Sequence, residues 1–234
     1  MWPASRNELI EIQRALAGAT PDPWWPPRDP PAIGAAVVVF ARGQTGPGAR
    51  GDPAWSAAAV LRRRQVLAEA MLAGAAAGPY APGLLALREG PCLESCLRAL
   101  AVAPDVVLVD ATARDHPRRA GLALQLGAVA DVPTVGVTHR PLLARGEWPD
   151  DERGAWSPLV LAGERVGVWL RTRRGARPLA VHPGWRTTLE VAIDVVLMAA
   201  RAHRTPEPLR HARRLARVAR ADAARTVARR ACDE

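Results

Sequence analysis

Two carboxylates and a basic cluster fall within a short span in the middle of the chain. Glu89 follows an arginine, Asp110 ends an apolar run, and residues 116–119 read His-Pro-Arg-Arg. A pair of carboxylates can hold Mg²⁺ together with the oxygens of a substrate phosphate, and arginine suits such phosphates. The span therefore predicts metal-assisted chemistry on a phosphate-containing substrate. The structural alternative is that Asp110 only caps the segment that follows it.

The position of Asp110 is set by a predicted buried strand. Residues 105–110 read Asp-Val-Val-Leu-Val-Asp, and residues 132–138 repeat this apolar pattern, which is typical of strands covered on both faces. Residues 119–130 suit a helix, so the three segments predict a right-handed strand, helix, strand crossover. Active-site acids commonly project from the ends of such strands. Asp110 is therefore expected at the carboxyl edge of a sheet.

Other segments surround this crossover. Residues 35–41 predict a first strand covered on both faces, and residues 55–61 predict its antiparallel neighbour. Residues 20–31 are rich in proline and predict an extended connector. A helix is expected to start with Pro91 in its first turn. The remaining predictions are a hairpin of strands 166–171 and 178–182 and helices 7–16, 91–101, 186–200 and 206–228.

Composition predicts one α/β domain and a polyanionic partner. A chain of 234 residues with 49% hydrophobic content can bury a substantial core. We expect a single domain over residues 1–234, with a helix and proline-rich connector in 1–33 and a basic helix in 204–234. The net charge of +9 favours nucleic acid. Because the chain contains no lysine, coding bias can account for part of this charge.

The sequence also bears on where the protein resides. It carries three cysteines, an odd number that argues against a disulfide framework. It has no apolar run of about 18 residues or more, and its first residues lack the basic and apolar blocks of a secretory signal. We therefore expect a cytoplasmic monomer that does not enter a membrane.

Three segments, in their order and spacing, resemble the endonuclease V family. They are residues 79–89, which begin Pro-Tyr-Ala-Pro-Gly and end Leu-Arg-Glu, residues 104–119, and residues 132–137, which read Val-Pro-Thr-Val-Gly-Val. The likeness covers most of the chain. It implies a nuclease that cuts nucleic acid beside deaminated bases such as inosine, and an α/β, ribonuclease H-like mixed sheet flanked by helices. In that fold residues 65–72 form the third strand of an antiparallel meander, although their alanines favour helix.

The resemblance also implies functional residues. Glu89 and Asp110 would be catalytic and would bind the metal, Mg²⁺ or alternatively Mn²⁺, and His139 would be catalytic beside the phosphate. Residues 79–83 would form a wedge that parts the strands next to the lesion. For the tyrosine of this loop the alternative is core packing, and for the histidine of His-Pro-Arg-Arg it is a structural role. The substrate-binding residues implied are Tyr80, Pro82, Gly83, His116, Arg118 and Arg119.

Four places depart from the family pattern. Ala36 stands on the first strand where the family has an essential metal-binding aspartate, so binding of Mg²⁺ should be weakened. Residues 111–113 read Ala-Thr-Ala in place of Gly-His-Gly. His139 replaces a lysine and supplies a permanent cation only in part. Trp185 replaces a histidine that lies close to the metal in the family.

These departures leave several functions open. Asp115 is a candidate replacement for the missing acid, because it is near Asp110 in sequence, but it can equally cap a helix or pair with Arg118. The first function is a metal-dependent endonuclease acting on deaminated DNA, with RNA as the alternative substrate. The second is a catalytically impaired or inactive homologue that binds nucleic acid without cutting, and the third is a scaffold. The substitutions predict weak or absent turnover with Mg²⁺.

Overall fold

Eight strands form one mixed sheet at the centre of the protein. The structure, a computed structural model, describes residues 2–27, 29–42 and 48–233, and in the last helix it describes side chains up to residue 226. The strands are β1 (Ile33–Phe40), β2 (Pro53–Arg62), β3 (Gln65–Ala75), β4 (Val106–Val109), β5 (Thr134–Thr138), β6 (Trp156–Leu161), β7 (Glu164–Leu170) and β8 (Leu179–Pro183). The helices are α1 (Arg6–Ala17), α2 (Leu85–Arg98), α3 (Leu122–Ala130), α4 (Leu189–Ala199) and α5 (Glu207–Asp233).

The strand order confirms the predicted meander followed by parallel crossovers. Across the sheet the order is β3-β2-β1-β4-β5-β8-β7-β6. The first three strands are antiparallel, β4 lies parallel to β1, and β5 lies parallel to β4. Strands β8, β7 and β6 then add antiparallel neighbours. The carboxyl ends of β4 and β5 therefore meet at one edge, where Asp110 follows β4.

Alternation along the strands divides the core between two faces. Ala35 and Val37 of β1 belong to a core with helices α4 and α5. Ala36 points to the other face, whose core includes Val109 of β4 and residues of α1, α2 and α3. The helix that carries Glu89 and the helix that carries the C-terminal arginines thus cover opposite faces of the sheet.

Two predictions about single elements are corrected. Pro91 does not start a helix but lies inside α2, which begins at Leu85. The carbonyl of Arg88, in the turn before Pro91, accepts a hydrogen bond from the amide of Ala77 outside the helix. The sequence analysis also missed β6, an edge strand interrupted by Pro158, because proline in a strand is tolerated at an edge and masks the pattern.

Helix α3 starts later than predicted. The expected first residue, Arg119, has a φ of 56°, outside the helical region, and Gly121 is an extended N-cap. The strand prediction for residues 65–72, which depended on the resemblance, is confirmed by β3. In the part of the chain that the structure describes, no helix combines the length and the apolar character that crossing a membrane would require.

Candidate active site

Ala36 and Asp110 are brought together by the register of two parallel strands. Ala36 of β1 pairs with Val109 of β4, so Asp110 comes one residue beyond the level of Ala36. The methyl group of Ala36 is 1% exposed and packs in the core beneath α2. A longer acidic side chain at this position would therefore extend from the sheet toward the helix that carries Glu89.

Glu89 lies in the second turn of α2, within electrostatic reach of Asp110. Burial raises the pKa of Glu89 to about 7, the negative charge of Asp110 adds to this shift, and the positive charge of Arg88 opposes it. The structure thus places the two predicted carboxylates close enough to repel each other. A divalent cation shared by both would remove that repulsion.

Asp110 is paired with an arginine from the opposite face. Arg213 of α5 donates to the Asp110 carboxylate at 2.5 Å, and both side chains are partly exposed. His139 is close to the same pair. Its pKa is lowered, first by partial burial and then by the charge of Arg204, while the negative charge of Asp110 acts in the opposite direction. These surroundings therefore favour the neutral form of His139.

The donor set fits a cation only in part. Glu89 and Asp110 supply the carboxylate oxygens that Mg²⁺ prefers, and one or two such groups together with phosphate oxygens can suffice. Within residues 2–27, 29–42 and 48–233 no group of three or more histidine, cysteine or acidic side chains could hold a metal. The position that would complete such a group is Ala36.

A cleft of about 250 Å³ opens beside Asp110. Tyr80, Pro82 and Gly83 line it together with residues 140–142. The ring of Tyr80 is 47% exposed, so it does not pack in the core. The structure brings the predicted wedge and the acid together, whereas Glu89 does not line this cleft.

The carbonyl of Gly83 is the anchor of the predicted wedge. It accepts hydrogen bonds from Gln13 Nε2 at 3.2 Å, His116 Nε2 at 3.0 Å and Arg118 Nη2 at 2.6 Å. Arg118 Nε also donates to Gln13 Oε1 at 2.6 Å. Gly83 has a φ of 71°, a conformation that favours glycine. These contacts fix the end of the wedge to α1 and to the His-Pro-Arg-Arg segment.

His116 is held as a neutral ring. Its Nε2 donates to the Gly83 carbonyl and its Nδ1 accepts from the Arg118 amide at 3.2 Å. Burial lowers the pKa of His116 to about 4, and the nearby charge of Arg118 contributes to this. Both ring nitrogens are therefore used within the protein, which favours the structural alternative for this histidine.

Arg119 points away from the cleft. Its guanidinium donates to the carbonyl of Leu161 at 2.9 Å and lies 3.5 Å from the carboxylate of Glu164. Both partners are at the turn between β6 and β7. The structure thus separates Arg119 from Gly83 and Asp110.

Asp115 cannot compensate for the missing acid. Its carboxylate is 0% exposed and accepts hydrogen bonds from the amides of Leu142, Leu143 and Ala144 at 2.5, 2.8 and 2.8 Å. The hypothesis that Asp115 replaces the metal ligand is therefore wrong. The residue instead fastens the segment that forms one wall of the cleft.

Arg88 is also not available for phosphate. Its guanidinium pairs with Asp52 at 2.8 Å, donates to the carbonyls of Ala49 and Gly78, and lies over the ring of Phe40 at 4.0 Å. The expectation that this arginine suits a substrate phosphate is corrected. It holds the segment before β2 against α2.

Trp185 lies at the wrong edge of the sheet for a site residue. Its backbone pairs with Thr134, the first residue of β5, at 2.9 and 3.0 Å. Thr138, the last residue of β5, lines the cleft, about 13 Å further along the strand. The expectation that position 185 lies close to the metal is wrong here, because β8 runs antiparallel to β5 and carries the chain back to its start.

Sequence analysis missed two contributors to this site. The sequence predicts a basic helix over residues 204–234 without distinguishing Arg213 from its neighbours, and nothing in its local pattern points to Asp110. Gln13 carried a usable signal, since it lies four residues after Leu9 on the apolar stripe of α1 and both are buried. A polar residue on such a stripe needs a buried partner, which here is the wedge.

The protein families and structures that this chain resembles agree with the geometry. Residues 43–214 match the endonuclease V family, a range that begins after β1 and its Ala36. Endonuclease V of Trichormus variabilis is 36% identical over 219 residues, which cover 92% of this chain and 95% of the relative.

Solved structures show the same fold. Endonuclease V from Streptomyces avermitilis aligns with a TM-score of 0.84 at 34% identity, covering 95% of this chain and 96% of that one. Endonuclease V from Ciona intestinalis, in complex with a 24mer DNA containing an inosine followed by a ribo-adenosine, aligns with a TM-score of 0.74 at 19% identity, covering 90% and 95%. At that identity the second likeness shows the fold alone. The predicted ribonuclease H-like fold is confirmed, and the chain belongs to the endonuclease V family.

Proposed function

We propose that this protein is a metal-dependent endonuclease that cuts DNA beside deaminated bases, with low turnover. The observation that carries the proposal is the cleft in which Asp110 lies beside an exposed, anchored tyrosine loop. A nuclease of this kind needs an acid at the phosphate and a separate place for the base. Asp110 and the exposed Tyr80 line the same cleft, which supports these two roles.

Glu89 and Asp110 are the residues that would hold a divalent cation, Mg²⁺ or Mn²⁺. Such a cation activates water for attack on phosphorus and neutralises charge on the phosphate. Asp110 lines the cleft and its side chain is partly exposed, so it would face the phosphate next to the bound base. Glu89 lies deeper, on α2, and its high pKa shows how strongly its surroundings disfavour an uncompensated negative charge.

The loop with Tyr80 and Pro82 would part the DNA strands. Stacking of one base on an aromatic ring is worth about 1–3 kcal/mol, and Tyr80 has the exposure that stacking requires. Pro82 limits the freedom of the loop, and the bonds to the Gly83 carbonyl hold its far end. In this proposal His116 and Arg118 act by positioning the wedge and not by contacting phosphate.

Low turnover follows from Ala36. Loss of a residue that only supports a metal ligand typically costs about 10- to 100-fold in metal affinity or activity, and loss of a ligand should cost at least as much. The same observation supports a second candidate function, in which the protein binds a deaminated base in DNA without cutting. Family membership favours the nuclease.

Cleavage of an end-labelled, inosine-containing duplex tests the proposal. We expect slow cutting by the native protein that requires Mg²⁺ or Mn²⁺ and is lost in Glu89→Ala. Glu94→Gln is a matched control, because Glu94 lies on the same helix, outside the cleft, where its carboxylate pairs with Arg98 and accepts a hydrogen bond from the indole of Trp2. Tight binding of the inosine duplex without any cutting, with either metal, would favour the second candidate.

A further inference from the structure

A groove of about 740 Å³ runs along α5 on the sheet face opposite to α2. Five arginines and a single acid, Glu207, line it together with two histidines. The arginines are Arg204, Arg210, Arg213, Arg214 and Arg217. We propose that this groove binds the phosphate backbone of the DNA that enters the cleft. The proposal deepens the proposed function and rests on it in one respect, namely that the cleft holds DNA.

Some charges of the groove are already balanced. Arg210 pairs with Glu207 at 2.8 Å, and Arg204 donates to two backbone carbonyls. Arg214 and Arg217 are exposed and form no ion pair with any residue that the structure describes. Two permanent cations therefore line a concave surface with no acidic partner, which is the electrostatic condition for binding a polyanion.

Arg213 connects the groove to the candidate active site. It lines the groove and also donates to Asp110, which lines the cleft on the other side of the sheet edge. A strand that leaves the cleft past Asp110 meets Arg213 first and then the free arginines. In this proposal the cleft and the groove contact the same DNA strand in succession, with the Arg213–Asp110 ion pair between them.

The spacing along α5 suits DNA. Arg210 and Arg217 are seven residues apart, which corresponds to about 10 Å along a helix axis. One strand of duplex DNA rises about 3.4 Å per phosphate along the duplex axis, so a helix that lies along this axis would span about three phosphate intervals. The alternative is a charged helix face that is simply solvated. That alternative does not account for the groove or for the ion pair between Arg213 and Asp110.

Salt dependence of DNA binding tests the groove without requiring cleavage. Binding of a labelled inosine-free duplex is measured in EDTA over a range of salt concentrations, for the native protein and Arg214→Gln/Arg217→Gln. The slope of log Kd against log salt should fall by about 2, since each phosphate contact contributes about 0.9. The matched control is Arg98→Gln/Arg165→Gln, which removes the same charge from exposed sites on α2 and at the start of β7; its slope should stay that of the native protein.

The outcomes separate the groove from the nuclease proposal. An equal loss of slope in both double variants, or no loss in either, overturns the inference even if the protein cuts DNA. A loss confined to the groove variant supports it even if no cutting is seen. The same titrations with duplex RNA identify the ligand: a selective effect on RNA with none on DNA overturns the assignment to DNA. Arg214→Lys/Arg217→Lys should restore most of the slope.

Discussion

Ala36 lies opposite Val109 in the parallel register of β1 and β4, and Asp110 is the first residue after β4. This relationship places the missing family aspartate beside the acid that the chain retains. The methyl group is buried under α2, so no solvent-exposed group can take its place by a small movement. The alanine at this position is therefore expected to limit the rate at which this protein cuts DNA.

Removing Arg213 should strengthen cation binding at Asp110. The guanidinium neutralises the carboxylate that a cation would use, and a partly exposed ion pair of this type is worth about 0.2–1 kcal/mol. We expect Arg213→Gln to increase Mn²⁺ affinity by up to about fivefold in calorimetry. Arg210→Gln, which breaks a pair with Glu207 instead, should leave it unchanged. Weaker Mn²⁺ binding in Arg213→Gln would contradict the idea that Arg213 and the cation compete for the carboxylate of Asp110.

Loss of Arg118 should free the wedge. Arg118→Ala removes charged hydrogen bonds to Gln13 and to the Gly83 carbonyl, and we expect about 2 kcal/mol lower stability in urea unfolding. The preference for an inosine duplex over an unmodified one should also fall. Arg114→Ala is the matched control, because Arg114 donates to carbonyls at the end of α1 and not to the wedge. If Arg114→Ala reduces the preference for the inosine duplex as much as Arg118→Ala does, the effect of Arg118 is not specific to the wedge.

Replacing Asp115 should lower the stability of the protein and should leave its affinity for Mn²⁺ unchanged. Asn at this position keeps one acceptor oxygen for three backbone amides, so Asp115→Asn should lower the free energy of unfolding by about 3 kcal/mol. Its Mn²⁺ affinity, measured on the folded variant, should equal that of the native protein. A tenfold loss of Mn²⁺ affinity with unchanged stability would restore Asp115 as a ligand.

The stability that neutral His116 contributes should be lost when the pH falls below about 6.5. His116 has a pKa of about 4 in the folded protein against 6.5 for an unperturbed histidine, so the unfolded chain binds the additional proton first. The loss begins near pH 6.5, reaches about 3 kcal/mol near pH 4 and then levels off. His182, whose pKa is also lowered by burial, acts in the same direction, whereas Glu89, whose pKa is raised to about 7, gains stability as the pH falls and acts in the opposite direction.

This pH dependence is measured by urea unfolding between pH 4 and 8. His116→Asn cannot take up the proton in this range, so relative to the native protein it should gain about 3 kcal/mol of stability between pH 7 and pH 4, whatever its absolute value. An identical pH dependence in the two proteins would show that His116 is not the neutral, buried group described above.

Much of the fold follows from local sequence patterns. The β4, α3, β5 crossover was readable because both strands are continuous apolar runs, and Asp110 at the strand end followed from it. Other features depend on contacts between distant segments. The anchoring of Gly83 by Gln13 and Arg118, the pairing of Asp110 with Arg213 and the burial of Asp115 join residues up to 105 positions apart. No local pattern encodes such contacts. The ion pair of Arg88 with Asp52 could not be predicted for the same reason.

The position of Trp185 shows why a motif alone can mislead. The substitution of a histidine by tryptophan suggested a change at the metal, yet the direction of β8 places the residue at the other edge of the sheet. There it packs close to Gly127 of α3. Its effect on catalysis should therefore be small, and Trp185→His provides a control for restoring the site.

The rate of cleavage of an inosine-containing duplex in Ala36→Asp tests the account most directly. Native protein, Ala36→Asp, Trp185→His and Ala36→Asp/Glu89→Ala are compared with Mn²⁺ under single-turnover conditions, after their thermal unfolding shows that each is folded. We predict that Ala36→Asp cuts at least about tenfold faster than the native protein, that Trp185→His does not, and that the added Glu89→Ala abolishes the gain. A folded Ala36→Asp protein that cuts no faster than the native one would contradict the assignment of the site.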